Sequence, residues 1–273
     1  MIYLNGAIVP PDFARIDPAD RGFTLADGLF ETLRAYNGKP FRLEDHLVRL
    51  ETSAQALGIP LLFDAVMIAE AVLELLTANA LTEGDAAIRI TATRGTGPRG
   101  LAPPEDVKPT LMITTSAYHP LPETCAATMV EIRRNEGSPL SRMKSLGYLD
   151  NVLATREAAE RGAEEAILLN NAGRVAGAAR ANVFAVLDGR LLTPPLSDGV
   201  LPGIARRVVL DLAEALRIPT EEASLSPADL AGAREIFLTN SLFEIRSVGR
   251  LDDRDFGTDE TAAKLRTDYR ALT

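Results

Sequence analysis

The stretch Ser141-Arg142-Met143-Lys144-Ser145-Leu146-Gly147-Tyr148-Leu149 decides how the rest of the chain is read. The 273 residues hold only four lysines against twenty-five arginines. Lys39, Lys108 and Lys264 sit in Asn37-Gly38-Lys39-Pro40, Asp106-Val107-Lys108-Pro109 and Ala263-Lys264-Leu265, which read as solvated turns and a polar terminal helix. Lys144 stands instead just ahead of a strongly helical segment. Arginine keeps its proton in any protein setting, whereas lysine can lose it and serve as nucleophile or base. A chain that uses arginine for surface charge has little structural reason for a lysine at 144. The bland alternative is an exposed loop lysine.

Upstream of this stretch the pattern is strand, hairpin, helices, strands. Residues 2–4 and 7–9 flank Asn5-Gly6, a strong two-residue hairpin signal. Residues 30–36 read as a strand ended by Asn37-Gly38. Residues 43–57 form an amphipathic helix with Leu43, Leu47, Leu50, Ala54 and Leu57 on one face. A second helix is expected at 65–78. Strand-like runs at 87–93 and 110–115 are separated by the loop Gly95-Thr96-Gly97-Pro98-Arg99-Gly100. The prolines of His119-Pro120-Leu121-Pro122 stop regular structure. The expected division is therefore an N-terminal domain at 1–116, a linker at 117–126 and a C-terminal domain at 127–273 that carries Lys144.

The second half opens on a β-rich run at 128–132, and a helix over 148–161 is ended by Gly162. Short strands at 166–169 and 174–176 flank Asn171-Ala172-Gly173, and strands at 183–187 and 190–193 flank Asp188-Gly189. A helix at 203–216, a strand at 235–239 and a helix at 259–270 follow. Strands and helices mix without regular βαβ alternation, and no G-x-G-x-x-G follows a strand. The fold class is therefore α/β of the α+β type, and not a dinucleotide-binding fold.

Bulk properties fit an ordinary enzyme. A chain with 46% hydrophobic residues can bury one large core or two smaller ones. A net charge of −9 argues against a general nucleic-acid binder. Neither a secretory leader nor an apolar run near the roughly 20 residues of a membrane helix is visible. The single cysteine, Cys125, excludes an internal disulfide and fits a reducing cytoplasm. His46 and His119 are too few and too far apart for a histidine-rich metal site, so no metal is expected.

Several segments, taken in order and spacing, resemble the class-IV aminotransferase family, the fold-type-IV pyridoxal-phosphate enzymes. They are Asp20-Arg21-Gly22-Phe23 with Asp27-Gly28-Leu29-Phe30-Glu31, His46-Leu47-Val48-Arg49-Leu50 and Thr93-Arg94-Gly95-Thr96-Gly97-Pro98-Arg99-Gly100. After these come Lys144-Ser145-Leu146-Gly147-Tyr148-Leu149, Asn182-Val183-Phe184, Leu192-Thr193-Pro194-Pro195-Leu196 and Leu201-Pro202-Gly203-Ile204. The resemblance runs from Leu4 to about Val248. It implies a two-domain fold with the site in the interdomain cleft, pyridoxal 5'-phosphate as cofactor, and a homodimer.

The resemblance also implies roles. Lys144 looks like the lysine that bonds to the pyridoxal aldehyde and later moves the α-proton. Arg49 looks like the phosphate-binding arginine, and its forked donors suit a dianion. Gly203, Ile204 and Ala205 open a helix whose N-terminal N–H groups suit the same phosphate, with Ser241 completing the cup. Arg99 lies in a loop that in relatives supplies an arginine for the substrate carboxylate. Phe30, Tyr148 and Asn240 are expected to line the pocket.

Two departures stand out. Relatives place a glutamate where this chain has Gly177, and that carboxylate pairs with the pyridine nitrogen so that the ring accepts electrons. Many aminotransferases of the family carry a threonine where this chain has Ala205. Arg180, three residues past Gly177, is a candidate to approach the ring nitrogen in place of the glutamate; the alternative is an arginine facing solvent or a carboxylate of the partner subunit. Leu238-Thr239-Asn240-Ser241-Leu242 and the loop 95–100 are lyase-like, whereas Lys144-Ser145-Leu146 is shared with D-amino-acid enzymes. The favoured expectation is a 4-amino-4-deoxychorismate lyase that releases 4-aminobenzoate and pyruvate for folate. The alternatives are an aminotransferase for D- or branched-chain amino acids and a degenerate, non-catalytic member.

Overall fold

In the computed structural model, which describes every residue except Leu62, the chain forms two compact units. The first is Met1–His119 with Lys144–Gly147, and the second is Pro120–Met143 with Tyr148–Thr273. Lys144 therefore groups with the N-terminal unit and not with the C-terminal segment expected to carry it. The reason is backbone pairing: Phe30 N–H donates to the Lys144 carbonyl at 2.9 Å, and Leu146 N–H donates to the Gly28 carbonyl at 3.0 Å.

The first unit is built on one antiparallel sheet. Its elements are β1 (Ile2–Leu4), β2 (Ala7–Val9), α1 (Arg21–Leu25), β3 (Gly28–Tyr36), β4 (Lys39–Pro40), α2 (Leu43–Leu57), α3 (Ala65–Ala78), β5 (Asp85–Thr93) and β6 (Thr110–Ala117). Strand order is β2-β1-β6-β5-β3-β4. Side chains alternate across a strand. Leu29, Leu33 and Ala35 of β3, with Ile88, Ile90 and Ala92 of β5, make one buried row. Helix α2 packs against β3 and helix α3 against β6 and β1. Phe30, Thr32 and Arg34 alternate with the first row on β3, and the register sets them beside Thr91, Arg89 and Ala87 of β5.

The second unit holds β7 (Thr124–Arg134), α4 (Leu149–Glu160), β8 (Glu165–Asn170), β9 (Val175–Ala178), β10 (Asn182–Leu187), β11 (Arg190–Thr193), α5 (Ile204–Ala215), β12 (Thr220–Glu222), α6 (Pro227–Gly232), β13 (Glu235–Asn240), β14 (Glu244–Leu251), β15 (Arg254–Asp255) and α7 (Glu260–Arg270). Its mixed sheet runs β12-β11-β10-β13-β14-β7-β8-β9, with β15 off β14. One core cluster joins Ile167, Val175, Val183, Ile236 and Leu238; a second joins Val130, Ala154, Ala158 and Leu168 under α4.

Strand β7 begins at Thr124, inside the stretch expected to be linker. Strand β14 has no counterpart in the sequence reading. Its Glu244, Arg246 and Ser247 look solvent-facing in sequence, yet they are 2%, 1% and 3% exposed. Partners far along the chain neutralise them: Arg246 meets Glu164 and Glu165, and Glu244 accepts from Arg270. No helix among the described residues is long and apolar enough to cross a membrane.

Candidate active-site residues

Lys144-Ser145-Leu146 lies along the free edge of β3, with Ser145 bridged to Leu29. This pairing sets the Lys144 Nζ 4.2 Å from the centroid of the Phe30 ring. The Arg89 guanidinium lies 3.9 Å from the same centroid. Phe30 is buried, whereas Arg89 is exposed on β5. Each cation gains from the ring's negative face. Two positive charges on one aromatic ring also favour an anion close by. Arg89 is absent from the expected site residues. Its signal in sequence is a lone charge in the apolar run Ala86-Ala87-Ile88-Arg89-Ile90.

On the helix side of the sheet, Glu31 is 1% exposed. Its carboxylate accepts from Arg49 Nε at 2.8 Å, from Arg49 Nη2 at 2.6 Å and from His46 Nδ1 at 2.7 Å. His46 and Arg49 are three apart on α2, so they share a face. Burial opposes the Glu31 charge, but the His46 and Arg49 hydrogen bonds outweigh it and hold the carboxyl down at about 2. Burial lowers the His46 pKa against the pull of Glu31, and the charges of Arg49 and Lys144 lower it further. His46 is therefore a neutral imidazole whose Nδ1–H donates to Glu31. One edge of the Arg49 guanidinium is fixed in a bidentate fork, a geometry that orients as well as binds.

In the second unit, α5 starts at Ile204 with Gly203 at its N-cap and no side chain capping it. Its first-turn N–H groups carry the positive end of a twelve-residue helix. Asn182 shapes the approach: its Nδ2 donates to the Leu201 carbonyl at 2.9 Å. A Cβ at 203 would lie 2.0 Å from the Asn182 Oδ1, so any larger residue there would push the Asn182 side chain aside. Asn182 is a positioning residue that the motif Asn182-Val183-Phe184 contained without a role. Ala205 is buried at the second helical position.

Asn240 is not a simple pocket wall. Its Oδ1 accepts from the Leu242 and Phe243 N–H groups at 2.9 and 2.8 Å, and its Nδ2 donates to the Arg180 carbonyl. It thus builds the turn that presents Ser241, which is half-buried. Arg180 forks onto Glu165 at 2.6 Å through Nη2, so a carboxylate of its own chain engages it. Gly177 is buried with φ at +112°, a region that side-chain-bearing residues rarely adopt. Tyr148 is half-buried at the N-cap of α4. Arg99 is exposed in the loop between β5 and β6.

The family model for amino-transferase class IV matches residues 28–251. The chain belongs to that family. A Methanocaldococcus jannaschii protein provisionally assigned as a branched-chain-amino-acid aminotransferase is 39% identical over 93% of this chain and 88% of its own length. The D-alanine aminotransferase of Staphylococcus epidermidis is 34% identical (92% and 89% covered), and the aminodeoxychorismate lyase of Bacillus subtilis 32% (94% and 89%). The branched-chain aminotransferase of the thermophilic archaeon Thermoproteus uzoniensis, solved with norvaline, superposes with a TM-score of 0.93 at 32% identity, covering 98% of this chain and 93% of the other.

The class-IV family acts through pyridoxal phosphate, as transaminases and lyases. The residues present suit that group. An oriented arginine and an uncapped helix N-terminus suit a phosphate, and Lys144 suits the aldehyde. The mismatches are Gly177, which offers no carboxylate to a ring nitrogen, and Ala205, which offers no hydroxyl to a phosphate.

Proposed function

We propose that the protein is a transaminase that moves an amino group between a carboxylate-bearing amino acid and a 2-oxo acid. The observation that carries this reading is the pairing of Arg89 and Lys144 on the Phe30 ring. It supplies a fixed cation for a carboxylate beside the amine that would handle the α-carbon. Bound pyridoxal phosphate supplies the electron sink for bonds broken at that carbon.

The protein's own groups do the rest. In the first unit Arg49, held by Glu31, would serve a phosphate; in the second unit the groups suited to one are the N–H groups of Ile204 and Ala205 and the Ser241 hydroxyl. Lys144 takes the α-proton and returns it. Arg89 grips the substrate carboxylate, and Phe30 keeps water from the Lys144 amine. The retained Lys144, Arg49 and Glu31 set favours a catalytic protein over a degenerate one. Incubation of an amino acid with a 2-oxo acid tests the proposal: net amino transfer supports it, and its absence with cofactor bound at Lys144 counts against it.

A second reading, the aminodeoxychorismate lyase, is favoured by the exposed Arg99. A substrate with two carboxylates would use Arg99 as well as Arg89. Release of pyruvate and 4-aminobenzoate without added 2-oxo acid would establish it. A homodimer is supported by large apolar side chains left open on each unit: Phe23 and Leu101 are 80% and 83% exposed on the first, and Leu149 is 75% exposed on the second. Solution scattering at micromolar concentration checks this. The single thiol, Cys125, is buried and pushed up to about 12 by burial, which suits an inert cysteine in a reducing cytoplasm.

A further inference from the structure

The loop that carries Arg99 is tied down from one place. Arg21 is 3% exposed at the start of α1. Its Nη1 donates to the Gly100 carbonyl and its Nη2 to the Leu101 carbonyl, both at 3.0 Å. Its backbone N–H donates to the Gly95 carbonyl at 2.8 Å. The neighbouring Asp20 carboxylate accepts from Thr93 Oγ1 at 2.9 Å and from Thr110 Oγ1 at 2.7 Å. Both roots and the tip of the loop therefore meet Asp20-Arg21, while Arg99 and Leu101 between them stay exposed.

The anchor is itself anchored. The Arg21 Nε donates to Asp27 Oδ2 at 2.8 Å, and the Arg94 Nε donates to the same oxygen at 2.8 Å. Arg94 reaches on to the Gly58 and Leu57 carbonyls, at 2.6 and 2.9 Å, where the helix that carries Arg49 ends. Asp27 adjoins Gly28, whose carbonyl accepts from Leu146, two residues past Lys144. One carboxylate thus links the Arg99 loop, the end of α2 and the Lys144 segment. A buried ion cluster is weak evidence for stability, since apolar packing would serve as well. Its use here is geometric.

We propose that Arg21 is a positioning residue that fixes loop 95–101, so that Arg99 stands as a preset carboxylate-binding cation instead of a mobile surface arginine. This rests on the reading that the protein takes carboxylate-bearing substrates. The Arg21→Lys variant keeps a charge near Asp27 but cannot reach two carbonyls with a fork. Proteolysis of a transiently opened segment follows the open population, so trypsin should cut the full-length protein after Arg99 about ten to a hundred times faster in the variant.

Calorimetry on the cofactor-loaded protein should show a dissociation constant for 2-oxoglutarate raised by about tenfold, with that for pyridoxal phosphate unchanged. Arg99→Gln should raise the oxo-acid constant by a similar factor. Asp27→Asn, which keeps the shape but removes the shared charge, should repeat both effects and decides the matter should Arg21→Lys fail to fold. Unchanged cleavage after Arg99, or faster cleavage with unchanged 2-oxoglutarate affinity, overturns the proposal. Neither arm needs turnover. A protein that fails to transaminate but shows both effects would refute the proposed reaction and keep this one.

Discussion

Glu31→Gln removes the charge at the centre of the Glu31, His46 and Arg49 cluster while nearly preserving its shape. In the native protein the carboxylate accepts three hydrogen bonds, two of them from a cation that is only 10% exposed. The amide would keep one acceptor and turn an N–H toward groups that already donate. Removing one partner of a buried pair costs about 3–5 kcal/mol, because the other charge stays buried. A separate route gives a similar figure. The Glu31 carboxyl falls from its ordinary 4.5 to about 2 in the fold. At about 1.4 kcal/mol per pH unit, that is about 3 kcal/mol of stability tied to ionisation.

The sign follows from the lowered pKa. This stability is fully present above pH 4.5 and is lost as pH falls toward 2. The lowered His46 pKa acts in the same direction: its contribution is complete above 6.5 and declines as pH falls below it. Urea unfolding of the cofactor-free protein at several pH values measures both. Wild type should lose about 3 kcal/mol between pH 4.5 and 2 from this site. Glu31→Gln should be less stable by about 3 kcal/mol at pH 7 and lack that part of the acid dependence. Stability within about 0.5 kcal/mol of wild type at pH 7, the range of an ordinary surface substitution, would mean that the Glu31 charge does not hold this cluster together.

Arg89→Gln should weaken use of the amino acid by about ten- to a hundredfold in kcat/KM, the value of one charge-assisted hydrogen bond, and leave cofactor binding unchanged. Steady-state kinetics and a cofactor titration check this together. Gly177→Glu should not restore a missing function. At φ +112° its Cβ would stand 3.2 Å from the Ala181 carbonyl oxygen, so thermal unfolding should show a loss of about 1–3 kcal/mol. Gly203→Ala should weaken pyridoxal phosphate binding by about tenfold or more, since the new methyl would displace Asn182 and the first turn of α5; a cofactor titration reads it.

Much of the fold is written locally. Asn5-Gly6 and Asp188-Gly189 make the tight turns between β1 and β2 and between β10 and β11, and the apolar periodicity of residues 43–57 matches α2 in both bounds. Lys144 is conspicuous because arginine cannot do what a titratable amine does. Distant partners are harder to read. Arg246 and Glu244 resemble surface residues until Glu164, Glu165 and Arg270 arrive from elsewhere in the chain. Glu31 is a charge on the helix-facing row of a strand, and only the approach of α2 explains it. Arg180 depends in the same way on Glu165, and Arg89 acquires meaning only when β3 and the Lys144 segment meet at Phe30.

The most direct test is to label the purified protein with pyridoxal phosphate, reduce it with borohydride and map the modified peptide. A reducible chromophore with the adduct on Lys144 is the predicted result. No chromophore, or an adduct confined to Lys39, Lys108 or Lys264, would contradict the assignment of Lys144 and the function built on it.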